Sequence, residues 1–165
     1  MKKIISSVLL LGTMLYASSF NTGVKMLDKG KEQKAYDAFF LSAKSGDIDS
    51  QMILGEMYLD GIGVKIDHEK AFFWLSKAAG NGDIEAQYLL GFMYENGIKV
   101  AVNIPRAVTL YKKAAKQGDI LSQYSLAMIY KEGKGGIKKD MIKAYKWLAK
   151  VQYSKNGLEY QARID

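Results

Sequence analysis

The chain has no cysteine, one proline and one histidine among its 165 residues. The missing cysteines exclude disulfides, a thiolate nucleophile, cysteine metal sites and a thioether-linked lipid. The lone histidine, His68, cannot build the common zinc arrangements. It stands between Asp67 and Glu69 in a predicted inter-helix turn, where a surface residue is expected in preference to a general base. No serine is followed three residues later by lysine, so the nucleophile motif of the serine β-lactamases is lacking. The fragment Gly133-Lys134-Gly135-Gly136 follows a helical pattern, not a strand, and no Ser or Thr completes it. It reads as a turn, not a phosphate loop. None of these patterns implies a cofactor or a metal.

Long apolar runs are also scarce. The most extended runs from Ile4 to Leu15, short of the roughly 20 residues that span a bilayer. With Lys2 and Lys3 before it and Ala17-Ser18-Ser19 after it, this stretch is expected to be a cleaved export signal occupying residues 1–19. Cleavage after Ser19 is favoured, then after Ala17. The mature chain is expected to be periplasmic or secreted, with no stable membrane span. The formal net charge is +7, and the lysines are scattered apart from a denser run at Lys131, Lys134, Lys138, Lys139 and Lys143. Such a surface reads as solvated in preference to a patch for an acidic ligand, and nothing in it points to nucleic acid.

What the chain does have is a repeat. Gly46, Gly82 and Gly118, each followed by Asp, recur at a fixed step, as do Gln51, Gln87 and Gln123. Leu54, Leu90 and Leu126 keep that step, with Tyr58, Tyr94 and Tyr130, and Gly61, Gly97 and Gly133. A second block follows each copy, slipped by one residue in the last: Ala71, Ala107 and Ala144, then Trp74, Leu110 and Trp147, then Lys77, Lys113 and Lys150. A fixed period of this length marks stacked supersecondary units.

Each copy holds two helical patterns. The first, over 84–96, aligns Ala86, Leu90, Gly91 and Tyr94 on one stripe, with Asp83 placed to cap it and Gly97 to end it. The second, over 69–80, aligns Ala71, Trp74, Leu75 and Ala78, and Pro105 opens its counterpart in the next copy. Asp47, Asp49, Asp83, Glu85 and Asp119 sit at first-helix N-termini, where the helix dipole accounts for them. A single hairpin cannot bury its apolar face, so the hairpins must stack. The expected fold is all-α: a right-handed α/α solenoid of antiparallel helix hairpins. Its repeat domain spans 20–165, with a partial unit at 20–46, repeats near 47–82, 83–118 and 119–155, and a cap at 156–165.

The run Ala86-Gln87-Tyr88-Leu89-Leu90-Gly91-Phe92-Met93-Tyr94-Glu95-Asn96-Gly97 and the second block at 107–119 resemble the Sel-one-like repeat, a relative of the tetratricopeptide repeat. Leu54 to Asp67 with Lys70, Ala71 and Trp74 is closer still. Ala127 in place of glycine, Val151-Gln152 in place of Ala-Ala, and Lys99 in place of glycine depart from its pattern. The resemblance implies an interaction scaffold, not an enzyme. Its second implication comes from cysteine-rich exported relatives linked to β-lactam or peptidoglycan binding and weak β-lactamase activity, but their disulfide-forming cysteines are missing here.

Positions that differ between copies point to a binding face. One first-helix stripe comprises Met52, Glu56 and Leu59, then Tyr88, Phe92 and Glu95, then Tyr124, Met128 and Lys131. Met, Tyr and Phe outnumber the charged residues along it, a bias found at interfaces. The stripe is expected to line a concave groove holding a protein or peptide partner, in a protein that is itself a monomer.

Overall fold

The computed structural model describes residues 19–153; the stretch expected to be an export signal, apart from Ser19, and the expected C-terminal cap at 156–165 lie outside them. Every regular element among the described residues is helical. Helix α1 covers 19–28. After it come α2 (Glu32–Lys44), α3 (Ile48–Asp60), α4 (His68–Gly80), α5 (Ile84–Asn96), α6 (Ile104–Lys116), α7 (Ile120–Glu132) and α8 (Met141–Tyr153). The first helix of the second copy therefore has the bounds its sequence period predicts. The chain divides into one unit ending at Asp83 and another beginning at Ile84.

The recurring glycines and aspartates set the turns. Gly46 and Gly118 take φ of 101° and 100°, which costs a glycine little and any other residue much. They let Asp47 N–H reach Ser42 O and Asp119 N–H reach Ala114 O, closing the ends of α2 and α6. The same aspartates then cap the next helix: Asp47 accepts from Ser50 N–H at 2.8 Å, and Asp119 from Ser122 N–H at 2.6 Å. The longer loop inside each hairpin is held by a second device. The amides of Asp67, Asn103 and Asp140 donate to the carbonyls of Tyr58, Tyr94 and Tyr130 at 2.8–2.9 Å. The side chains of those three residues cap α4, α6 and α8. Because Asp67 is the cap, His68 is the first residue of α4 and lies exposed there, not in the turn before it.

In the first unit α3 packs on both α2 and α4. Its core runs through Ala35, Phe39, Leu54, Met57, Tyr58, Ala71 and Trp74, with Phe20 of α1 set edge-on to Phe39 at 5.8 Å. Gly55 lets α3 and α4 approach, since a Cβ there would stand 2.5 Å from Leu75. Buried Gln51 sends Nε2 to Ala43 O at 3.2 Å, tying α3 to the end of α2.

The second unit repeats the plan with α5 on α6, α6 on α7 and α7 on α8. Gln123 Nε2 reaches Ala115 O at 3.1 Å, the counterpart of the Gln51 bond. One pairing differs. The residue facing Gly91 is Tyr111, where the first unit has Leu75, and it is fully buried. Its hydroxyl donates to Glu95 Oε2 at 2.8 Å. The slipped residue of the last copy falls in the α7–α8 loop, where a 3-10 turn at Lys134–Gly136 lies on Ile104.

Candidate functional site

Two places carry side chains beyond what stacking needs. The first is the predicted first-helix stripe. On α3, Met52, Glu56 and Leu59 are half-buried. On α5, Tyr88 is half-buried and stacks obliquely on Tyr111 at 5.9 Å, while Phe92 beside it is 41% exposed. Glu95 is held from both sides, by Tyr111 and by Lys134 Nζ at 2.7 Å. On α7, Tyr124 and Met128 are half-buried and Lys131 is exposed. The Tyr88–Phe92 pair is brought together, at 6.5 Å between ring centroids. Glu95 is engaged in an internal network.

The second place lies along the second helices and was not singled out by the sequence. In the first unit a trough of about 550 Å³ has Tyr58 of α3 at its floor. Tyr36, Phe40 and Lys44 of α2 form one wall, and Lys70, Phe73, Trp74 and Lys77 of α4 the other. The second unit has a trough of about 390 Å³ built from equivalent positions: Tyr130 of α7, Lys112 of α6, and Lys143, Lys146, Trp147 and Lys150 of α8. Each follows from the repeat. The tyrosine ends a first helix, and the Lys–Trp–Lys series spaced by four and three residues falls on one face of a second helix.

The lysines are positioned by the rings. Lys70 Nζ lies 5.3 Å from the Tyr58 centroid, and Lys143 Nζ 5.4 Å from that of Tyr130. Arg106 stands over Tyr94 at 5.0 Å in the same register. Lys77 lies 4.7 Å from Phe73 and 5.2 Å from Trp74, and Lys150 lies 4.7 Å from Trp147. Each such contact at an exposed position is worth about 0.5–1 kcal/mol, enough to favour one side-chain pose. Lys70 and Lys143 are also paired with the cap residues Asp67 and Asp140, at 3.1 and 2.9 Å. Backbone and side-chain hydrogen bonds from those lysines hold both carboxyls below the usual range, and the Asp140 bond raises Lys143.

Tyr36 and Tyr58 share a hydrogen bond of 2.6 Å between their hydroxyls. Burial first, and that bond second, push Tyr36 up to about 12. It stays a neutral phenol near neutrality and offers no base. Among the described residues no group of three or more His, Cys, Asp or Glu is arranged to hold a metal. No described helix is long and apolar enough to cross a membrane.

Helical hairpins of equal length, joined by Gly-Asp turns and stacked through small residues, define an α/α repeat protein of the tetratricopeptide-like class. Within that class the chain belongs to the Sel1 repeat family, whose model matches residues 48–83, 84–119 and 120–150. It is similar to the crystal structure of a protective antigen of uropathogenic Escherichia coli displaying an SLR fold, at 30% identity and a TM-score of 0.79. It is also similar to a Sel1 repeat protein from Oxalobacter formigenes, at 28% identity and a TM-score of 0.74. These likenesses cover 90% and 85% of this chain, but 33% and 57% of the respective neighbours, so the chain spans only part of their length. Among curated protein sequences none matches the chain. The Sel1 repeat is typically a non-catalytic interaction module.

Proposed function

We propose that this protein is an exported scaffold that holds a protein or peptide partner and performs no chemistry of its own. The observation that carries the reading is the recurrence of one trough, with aromatic floor and lysine edge, in both units. Packing accounts for Tyr58 and Tyr130, which are buried, but not for Phe73, which is 50% exposed on the trough wall. Exposed rings beside fixed charges are the composition of interaction surfaces. Export rests on the N-terminal pattern of Lys2, Lys3, Ile4 to Leu15 and Ala17-Ser18-Ser19.

Affinity capture from envelope extract tests the binding reading, with the full chain and two variants. The Phe73→Ala/Lys146→Ala variant alters one exposed residue in each trough, and Phe92→Ala alters the first-helix stripe. A protein retained by the wild type and lost from the trough variant supports the reading. Loss only from Phe92→Ala moves the site to the stripe. Identical capture by all three refutes both surfaces.

A further inference from the structure

The charges around the troughs go further than the presence of a binding surface and name the chemistry of the partner. Four lysines line the trough of the second unit and three line that of the first, and among the described residues no carboxylate lines either. Among the described residues only Lys143 and Lys70 of these have an ion-pair partner, in Asp140 and Asp67. Helix stability does not favour this pattern. Lys143, Lys146 and Lys150 stand three and four residues apart on α8, where like charges repel. The rings hold that charge in place, with Lys112 Nζ 5.8 Å from the Tyr130 centroid and Lys150 over Trp147.

Resting on the scaffold reading above, we infer that each unit's trough receives an acidic segment of a partner protein, its carboxylates pairing with ammonium groups already placed over the aromatic rings. A nucleic acid would use such rings as stacking platforms, but the ring faces here already carry ammonium groups. A bilayer surface would meet the edge lysines without reaching the tyrosine floor. Side-chain carboxylates on a flexible chain satisfy both features. They meet the lysines directly, and an extended chain follows the trough from one ammonium group to the next without needing a free ring face.

The chain's two tryptophans, Trp74 and Trp147, line one trough each, so each trough reports on itself. The experiment titrates capped hexaglutamate into the full chain and into the Trp74→Phe and Trp147→Phe variants, following tryptophan emission. Capped hexaglutamine and phosphatidylglycerol vesicles serve as comparison probes. The expected result is a saturable change with hexaglutamate in both single-tryptophan variants, absent with hexaglutamine and weakened by salt. Lys146→Gln and Lys150→Gln, both exposed and outside the core, should weaken the Trp147 response by up to about fivefold each. They should leave the Trp74 response unchanged. No response to hexaglutamate, an equal response to hexaglutamine, or a response to vesicles alone overturns the inference. If hexaglutamate fails while the trough variant still loses a captured protein, the acidic class is wrong and the scaffold reading stands.

Discussion

The hydroxyl of Tyr111 donates to Glu95 at 2.8 Å, and Lys134 meets the other oxygen of the same carboxylate at 2.7 Å. The equivalent positions one period earlier are Leu75, Leu59 and Ile98, all apolar. A tyrosine buried in the α5–α6 seam needs an acceptor, Glu95 supplies it, and the rebuilt α7–α8 loop delivers the balancing cation. Removing the hydroxyl alone leaves Glu95, 17% exposed, with Lys134 as its remaining side-chain partner. Tyr111→Phe should therefore lower stability by about 1.5–3 kcal/mol, as measured by urea unfolding. Glu95→Leu combined with Tyr111→Leu restores the apolar pairing of the first unit and should cost less than the sum of the single changes. Strict additivity would show that the two residues are not coupled.

Alkaline stability follows from the same phenol. Burial first, and the Glu95 bond second, raise the Tyr111 ionisation above its ordinary value near 10. Tyr36 is raised to about 12. Above pH 10 the unfolded chain releases these protons while the folded chain keeps them, so stability present below that pH falls as pH rises through the folded values. Denaturation midpoints should be flat from pH 8 to 9.5 and decline beyond 10. Tyr111→Phe should shallow that decline, and an unchanged slope would exclude Tyr111 as its source.

Close helix approach makes a separate prediction. A Cβ at position 55 would lie 2.5 Å from Leu75, and one at 91 would lie 2.7 Å from the Tyr111 ring. Gly55→Ala and Gly91→Ala should each cost about 1–3 kcal/mol through overpacking, despite alanine's better helix propensity. Gly55→Ala with Leu75→Val should recover part of the loss. A neutral Gly55→Ala would mean that α3 and α4 separate freely.

The caps of the second helices can be tested at Asp67. Asp67→Ala should cost about 0.5–2 kcal/mol by removing the bonds to Glu69 and Lys70 N–H, whereas Asp67→Asn should keep most of that. Hydrogen bonds from Lys70 hold the Asp67 carboxyl below its usual value. Its contribution is therefore present above the unfolded value and lost as pH falls through the folded one. In Asp67→Asn the acid limb of the stability profile should be shallower below pH 4. An identical limb would assign acid sensitivity elsewhere.

Much of this fold is written in the sequence because its turns are chemically specific. Gly-Asp after each second helix and glycine after each first helix fix both boundaries, so helices such as α5 can be placed to the residue. The stripe from Met52 to Lys131 was equally visible as a periodic face. Periodicity does not say that Tyr88 leans on Tyr111 or that Glu95 is engaged by Lys134, since those depend on substitutions in other helices. The troughs were missed for a related reason. Each is assembled from three helices, with Phe40 or Lys112 far in sequence from Trp74 or Trp147. A signal did exist in the Lys–Trp–Lys series at 70, 74 and 77 and again at 143, 147 and 150, which reads as helix filling until the tyrosine beneath it is placed.

Site-specific photocrosslinking tests most directly whether partners enter the troughs. A benzophenone amino acid is placed at Phe73 or Lys146 in the troughs, at Phe92 on the first-helix stripe, and at exposed Ile66 on the α3–α4 loop. Adducts with the same protein from positions 73 and 146, and none from 92 or 66, are the predicted result. Adducts from 92 or 66 with none from 73 and 146 would contradict it.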